Sequence, residues 1–384
     1  MKCIHCGWES VLRYRKDGRC YMCRHRFAFE PKKGSPRVTD AQFMAAIDRV
    51  SGDGRLQFTE RALWYEFNRK WMRRGFWRRP FGRLPVAGAA LGALAGAVIG
   101  APYKILELAL GGALAGAAAG TLTGMVMSLL ANAVSPRPPR EPYIPYPRFR
   151  SAYVGRWRAV HGDVPGLLPP GEPELPATPR EVPPDVAVFS FDRAVVTDRW
   201  ETAAMLVANR FHFEHNCAVL SVDGYPDGIA GTVKEMLRRN PRLTVFALHD
   251  ASPGGCLLPL TLREQEWFPD PAVRIVDLGL RPGTVRRLRI PPLAGTSSTL
   301  PPRLGEILPP EDVAWLARGH AGELAALRPA QVLRAAYQGI VAAGPNDGSS
   351  PGTDGGGGYY GGGGIIWVGD MGGGGDTAAV DGFG

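Results

Sequence analysis

The longest apolar stretch of the chain covers residues 84–134, in which Lys104 and Glu107 are the only charged side chains. Within it, residues 84–103 and 108–131 are each close to the roughly 20 residues that a helix needs to cross a bilayer. The pattern therefore predicts two transmembrane helices joined by a short turn. The alternatives are an Ala/Gly-rich helical hairpin in water and a hairpin that lies at the membrane interface.

Glycine recurs at every fourth position in both halves of this stretch. The two rows are Gly88, Gly92, Gly96 and Gly100, and Gly112, Gly116, Gly120 and Gly124. A row of glycines on one helix face lets two backbones approach closely. The rows therefore predict an antiparallel glycine-zipper hairpin, and the same groove is a candidate surface for a protein partner or a homo-oligomer.

Strand-like and helix-like patterns alternate over residues 185–295. The first strand is predicted at 186–191 or 194–197, and later strands at 217–222, 243–248 and 273–276. Helical patterns fall between them, near 200–210 and 229–239. Such alternation predicts an α/β domain with a mostly parallel sheet.

The remaining segments differ sharply in composition, and the chain as a whole is predicted to be multi-domain. Residues 135–184 hold 14 prolines and predict an extended linker, whereas 344–384 hold 18 glycines without Lys or Arg and predict a disordered tail. Helical spacing predicts a short, basic, winged-helix-like segment at 38–83, with Thr39 as a helix cap, and C-terminal helices at 303–343.

Charge is concentrated before the apolar stretch. The formal net charge is +9 overall, +12 for residues 1–83 and −3 for the rest, which excludes a uniformly basic nucleic-acid-coating protein. Arginines flank the apolar stretch on both sides, and the ones before it include Arg73, Arg74, Arg78 and Arg79. They are candidates for contact with lipid or nucleic acid. The positive-inside bias predicts a multi-pass protein of the cell membrane with both termini in the cytoplasm.

Residues 1–35 carry four of the six cysteines, as two C-x2-C pairs formed by Cys3 with Cys6 and Cys20 with Cys23. Four thiolates from two tight turns suit the tetrahedral coordination of Zn²⁺. The spacing predicts a zinc ribbon with a structural zinc ion, against the alternatives of a redox dithiol or unpaired thiols. Cys217 and Cys256 lie in or near apolar segments and are predicted to be inert core thiols.

Aspartates follow the predicted strands of the α/β segment. Asp198, Asp223, Asp227 and Asp250 all fall at or just after strand ends. Ligands collect at the carboxyl edge of parallel sheets, and carboxylates there can hold Mg²⁺ together with phosphate oxygens. The alternative is that these residues are turn formers and helix caps, which aspartate also favours.

Three motifs occur in order within residues 190–290. They are Gly224-Tyr225-Pro226-Asp227, the run from Val245 through His249-Asp250-Ala251-Ser252-Pro253-Gly254 to Gly255, and Leu278-Gly279-Leu280-Arg281-Pro282. Together they resemble the Toprim domain of the topoisomerase VI A subunit and its meiotic DNA-break relatives. That family carries G-Y-P-D, D-x-D-P-x-G and L-G-L-x-P motifs. The resemblance implies a Toprim-like fold, with Asp250 as a Mg²⁺ ligand and Asp198 where the family has an acidic Glu.

The segment from Thr59 to Tyr65 is similar to the T-x-R-[DE]-[IL]-[YF]-Y stretch of the same family, whose last Tyr cleaves DNA. The resemblance thus implies Tyr65, Asp198 and Asp250 as candidate catalytic residues. Ser252 replaces the second Asp of the metal motif, and Gly231 stands near the place of an expected Arg. These departures indicate a degenerate Toprim-like domain, and the plain alternative for Tyr65 is an aromatic that packs on a helix face.

Three functions are compatible with these features. The first is a membrane-anchored, cytoplasmic zinc-ribbon protein whose degenerate Toprim-like domain is a binding or assembly module, on nucleic acid among other partners. The second is a Mg²⁺-dependent nuclease or topoisomerase-like DNA-breaking enzyme. The third is a structural membrane protein with a protein partner only.

Overall fold

The computed structural model describes residues 1–9, 18–29, 38–73, 84–100, 106–134, 144–169, 171, 192–226, 230–238, 240, 243–264, 268 and 273–344. The chain divides into two compact units. Unit 1 comprises residues 1–69 and 141–384, and unit 2 comprises residues 70–140. The predictions for Arg74, Arg78, Arg79 and Asp227, for linker residues 135–143 and 172–184, and for almost all of the Gly-rich tail lie outside the described residues.

Four parallel strands form the sheet of unit 1. They are β1 Arg193–Thr197, β2 Ala218–Ser221, β3 Thr244–Leu248 and β4 Arg274–Asp277. Their order is β2-β1-β3-β4, and each neighbouring pair is parallel. The predicted parallel sheet is confirmed, and β1 corresponds to the second of the two positions proposed for the first strand.

Helices connect the strands and cover the apolar side chains between them. Those along this part of the chain are α7 Trp200–Ala208, α8 Phe211–Glu214, α9 Ala230–Arg238, α10 Pro253–Glu264 and α11 Pro282–Leu288. Val196, Leu220 and Val245 from three strands pack in one buried cluster with Leu258 of α10 and with Phe268. Burial on this scale is the main force that holds such a sheet together.

The chain returns to the sheet after α11. The elements there are β5 Leu293–Ala294, α12 Leu304–Ile307, α13 Pro310–Ala317, β6 His320–Ala321, a 3-10 turn Leu324–Ala326 and α14 Pro329–Ala343. β5 and β6 pair antiparallel, and an isolated bridge joins Ala251 to Gly322. This bridge brings the residues that follow β6 next to the carboxyl end of β3.

The amino-terminal part of unit 1 is helical. Its elements are α1 Asp40–Ser51, α2 Glu60–Arg73, α5 Tyr146–Arg148, a π-helical turn Phe149–Val154 and α6 Gly155–His161. The hydroxyl of Thr39 accepts the Gln42 N–H at 3.3 Å and caps α1, as predicted.

Residues 144–169 correct the prediction of an extended linker over 135–184. Phe149, Tyr153 and Trp157 are buried among the aromatic side chains of Phe43 and Phe67. The stretch is folded because its aromatic residues recur every four positions and bury one helix face against α1 and α2. The prolines lie mainly before and after this stretch, and their number masks its periodicity.

Unit 2 contains α3 Leu84–Gly100 and α4 Leu106–Val134. A Cβ built on Gly92 would lie 2.8 Å from the carbonyl carbon of Gly116 and 3.2 Å from Cα of Gly120, so the two backbones touch along the glycines. Within α4, residues Ala113–Leu130 are long and apolar enough to cross a membrane, and no other described helix is. α3 supplies the shorter apolar stretch Val86–Ala95.

Candidate metal centres

The four amino-terminal cysteines, Cys3, Cys6, Cys20 and Cys23, lie together, and all their Sγ atoms are within 4.8 Å of one another. Sγ of Cys3 is 3.7 Å from that of Cys23, and Sγ of Cys6 is 3.6 Å from that of Cys20. A tetrahedral ion with bonds of about 2.3 Å separates its sulfur ligands by about 3.8 Å. This four-cysteine cluster can therefore hold a metal ion such as zinc.

Two tight turns build the four-cysteine cluster. The N–H of Gly7 donates to the carbonyl of Cys3 at 2.9 Å, and the N–H of Arg24 donates to that of Cys20 at 3.0 Å. Gly7 and Arg24 both have positive φ, 73° and 60°. Burial by itself raises the pKa of the Cys20 thiol. Hydrogen bonds from the backbone N–H groups of Cys23 and Met22 stabilise the thiolate more strongly, so the pKa falls to about 7. Cys20 is thus ready to bind metal as a thiolate.

The second candidate centre lies at the carboxyl edge of the sheet. Asp198 directly follows β1 and Asp250 comes two residues after β3, so the parallel register brings them to the same edge. The Asp250 N–H donates to Oδ2 of Asp198 at 3.0 Å. Oδ1 of Asp198 is buried and has no hydrogen-bond partner among the described residues. The two aspartates predicted as ligands therefore do meet.

Glu323 is a third carboxylate in this place, and sequence analysis missed it. Arg61 on α2 holds it with two hydrogen bonds of 2.7 and 2.6 Å, and Arg199 lies 3.2 Å from it. Arg199 also lies 3.5 Å from Asp250. Glu323 follows a strand of only two residues, which no periodic pattern marks, and its partner on α2 is 262 residues away.

A cleft of about 500 Å³ opens beside these groups. Its lining includes Asp198, Arg199, Asp250, Ser252 and Glu323. A Cβ on Gly255 would lie 2.9 Å from Oδ2 of Asp198, so glycine keeps this approach open. The Ser252 hydroxyl, which lines the same cleft, accepts the Gly255 N–H at 3.0 Å. We refer to Asp198, Asp250 and Glu323 with this cleft as the acidic site.

Burial and the crowding of carboxylates shift the pKa values of the aspartates in the acidic site. Burial first, and then the charge of Asp198, raises the pKa of Asp250 to about 7. Burial also raises the pKa of Asp198, against the opposing charge of His249. Groups whose pKa is raised in this way favour a proton or a cation nearby.

His249 lies directly behind the acidic site and is fully buried. Its Nδ1 is 2.8 Å from the carbonyl oxygen of Asp250, and its Nε2 is 3.0 Å from Oδ1 of Asp277. Both partners are acceptors, so both ring nitrogens donate and the ring is an imidazolium. Burial lowers the pKa of His249, but the charge of Asp277 outweighs it and raises the pKa overall.

Tyr65 points from α2 toward the same region. The residue is 2% exposed, and its hydroxyl has no hydrogen-bond partner of normal geometry among the described residues. Burial first, and then the negative charge of Glu323, raises its pKa well above the usual value. The structure thus brings Tyr65 near the predicted metal ligands, although the phenol is enclosed and strongly disfavours its ionised form.

Other predicted site residues have different roles or lie outside the described ranges. Oδ2 of Asp223 accepts the Trp200 N–H at 3.2 Å at the start of α7, so this exposed aspartate is a helix cap. The backbone of Arg73 ends α2, whereas Arg74, Arg78 and Arg79 fall in a range that the structure does not describe.

Comparison with known proteins finds no matching family model, curated protein or solved structure. The chemistry of both centres is accordingly derived from the residues of this chain.

Proposed function

We propose that this chain is a membrane-anchored protein whose Toprim-like domain binds a divalent cation and, through it, the phosphates of nucleic acid at the acidic site. The observation that carries the proposal is that Asp198, Asp250 and Glu323, from three distant segments, line one cleft, with a buried oxygen of Asp198 left without a partner among the described residues. An unpartnered buried carboxylate oxygen is costly unless something binds it.

The chemistry of these groups suits Mg²⁺. This ion takes one or two protein carboxylates and fills its other positions with water and phosphate oxygens. Arg199 lines the same cleft and lies 3.5 Å from Asp250, close enough to contact a phosphate held by the ion. A bound cation would also lower the pKa of Asp250, which is raised to about 7 by burial and by the charge of Asp198.

The side chains at the acidic site favour binding of nucleic acid over cleavage of a nucleic-acid strand. Ser252 offers no carboxylate for a second ion, and nucleophilic attack by Tyr65 requires an accessible phenol with a lowered pKa. Its side chain is buried and its pKa is raised. Cleavage is the second candidate because Tyr65 lies close enough to Glu323 and Asp250 to feel their charges, although both charges raise its pKa.

The membrane part of the proposal has its own support. Oδ1 of Asn68 accepts the Ile144 N–H at 3.0 Å, so the two ends of the segment that contains unit 2 meet within unit 1. A chain that leaves and returns on one side of a bilayer crosses it an even number of times. This supports a hairpin of two spans rather than the single span that length alone would allow.

Side chains of α4 also suit a lipid environment. The hydroxyls of Thr121 and Thr123 donate to the carbonyls of Ala117 and Ala119, four residues earlier, at 2.6 and 2.9 Å. Polar groups facing lipid must be satisfied within the helix. With arginines flanking both ends, we place the two termini in the cytoplasm.

The glycine rows bear on assembly as well as on the hairpin. The glycines that bring α3 and α4 into contact within one chain are Gly88, Gly92, Gly116 and Gly120. Because they already face each other, they are not free to contact a second chain. Assembly of several chains through the zipper is for this reason a separate hypothesis from the membrane anchor.

Calorimetry on the full chain in detergent tests the acidic site. Mg²⁺ should give saturable heat in the millimolar range, and Asp198→Asn should weaken binding at least tenfold because it removes the charged oxygen. Asp223→Asn, which changes an exposed cap, should bind as the wild type does. Absence of Mg²⁺ binding, or wild-type binding by Asp198→Asn, would refute the proposal.

A labelled single-stranded oligonucleotide tests the nucleic-acid part. Its anisotropy should rise with the wild type only when Mg²⁺ is present, and a denaturing gel should show intact strand. A covalent adduct or cleaved product that disappears in Tyr65→Phe would instead establish the second candidate.

A further inference from the structure

A row of histidines leads from the four-cysteine cluster into the helical part of unit 1. The rings of His5 and His25 stack with centroids 4.9 Å apart, and His25 and His161 stack at 5.2 Å. Nε2 of His25 is 3.2 Å from Nδ1 of His161, and Nε2 of His161 is 2.7 Å from Oδ2 of Asp40. The row therefore joins both cysteine turns to α6 and α1.

Asp40 fixes the direction of these hydrogen bonds. Its carboxylate is fully buried and accepts the N–H groups of Ala28 and Phe29 at 3.0 and 2.8 Å. His161 then donates its Nε2–H to Asp40, and one shared proton joins its Nδ1 to Nε2 of His25. The buried carboxylate of Asp40, at the start of α1, thus binds both the segment 28–29 that follows the second cysteine turn and His161 at the end of α6.

The position of His25 depends on the metal-binding turn. The N–H of Cys20 donates to the carbonyl of His25 at 2.8 Å, so His25 is part of the turn that carries Cys20 and Cys23. A metal ion on the four thiolates would fix this turn and hold the His25 ring against His161. The four cysteines form no disulfide, so without the ion no cross-link ties the two cysteine turns together.

His161 in turn holds the segment that returns from unit 2. Its ring packs on Trp157 at 4.5 Å, and Trp157 packs on Phe43 of α1 at 4.9 Å. At the beginning of the same segment, Trp64 and Asn68 of α2 bind Ile144. The segment 144–161 is therefore fastened to α2 at one end and to the four-cysteine cluster at the other.

We propose that His25, His161 and Asp40 form a metal-dependent latch, through which the metal ion in the four-cysteine cluster keeps α6 docked on α1. Loss of the ion would release His25 from His161 and loosen the carboxyl end of the 144–161 segment while the parallel sheet stays folded. His161 acts here as a positioning residue. The latch goes beyond the proposed function, because it concerns the four-cysteine cluster and not the acidic site.

Hydrogen exchange on the full chain, with zinc bound and after chelation, tests the latch. Chelation should speed exchange of α6 amides at least tenfold and leave β3 amides unchanged. In His161→Ala, α6 should exchange fast even with zinc bound, and chelation should add less than twofold. His320→Ala removes a histidine that contacts Trp315 elsewhere in unit 1, and it should respond to chelation as the wild type does.

Three results would overturn the latch. One is an α6 exchange rate that chelation does not change in the wild type. Another is equal deprotection of α6 and β3, which would mean global unfolding. The third is a full wild-type response in His161→Ala. Because chelation needs no cysteine substitution, the test does not depend on a variant that fails to fold.

Discussion

The four-cysteine cluster and the acidic site both gather groups that repel one another, but they are built in opposite ways. The cysteine ligands come from residues 3–23 and form around two local turns. The acidic site joins β1, β3 and the residues after β6, and Arg61 and Arg199 balance its carboxylates. The first site offers four thiol groups that a metal ion could bring together, whereas the second has counter-charges supplied by the protein itself.

The largest effect should come from breaking the four-cysteine cluster. Cys20→Ser should reduce zinc from about one ion per chain to almost none, because a structural site needs all four ligands. The thermal midpoint of unit 1 should fall with it, since metal binding contributes to folding. Metal analysis and a thermal melt measure both effects. Cys217→Ser alters a buried thiol outside the cluster and should keep its zinc; zinc retention by Cys20→Ser would contradict the assignment.

The next largest effect should come from removing a counter-charge partner in the acidic site. Glu323→Ala leaves the mostly buried Arg61 guanidinium without its carboxylate and should lower the free energy of unfolding by about 3–5 kcal/mol. Urea unfolding measures it. The exposed pair of Glu264 with Arg303 is the matched control, and Glu264→Ala should leave the free energy unchanged within error. If both variants behaved alike, the acidic site would not depend on its arginines.

The effect that is smallest for each step of one pH unit concerns protons on the acidic site. The pKa of Asp250 is raised to about 7 in the folded chain, above the roughly 3.9 of an unfolded Asp. The folded state then binds the proton more tightly, so this residue's contribution to stability is present below about pH 4 and is lost as pH rises toward 7. The loss is at most about 1.4 kcal/mol per pH unit.

Asp250→Asn isolates this contribution, because the amide oxygen can still accept the Leu324 N–H. The free energy of unfolding of the wild type minus that of the variant should fall between pH 4 and 7. Asp223→Asn, at an exposed cap, should give a flat difference. A flat difference for Asp250→Asn as well would show that the aspartate does not hold its proton in the folded chain.

Sequence patterns predict those parts of the two sites that depend on short motifs or on the ends of predicted strands. The four-cysteine cluster follows from two C-x2-C turns, and Asp198 and Asp250 follow from strand ends that a parallel sheet brings to one edge. Glu323 could not be predicted in this way, because its place depends on an isolated bridge between Ala251 and Gly322 and on a contact with Arg61. No short pattern contains either of them.

The linker prediction for residues 135–184 is wrong over 144–169, and the error has a different cause. Phe149, Tyr153, Trp157 and His161 recur at intervals of four residues, which is helical spacing and is visible in the sequence. The 14 prolines of residues 135–184 lead to the prediction of a linker, although residues 148–164 contain no proline. Periodicity over a short window is here a better guide than the composition of a long one.

The hydrogen bond from the Ile144 N–H to Asn68 has a consequence for the order of events during synthesis. Arg61 and Asn68 of α2 bind partners beyond residue 141, and α2 leaves the ribosome long before α6, the sheet or Glu323 exists. The apolar helices α3 and α4 follow immediately and are made while unit 1 is still incomplete. Unit 1 can therefore be completed only late, because its N-terminal part must wait for partners that lie beyond residue 141.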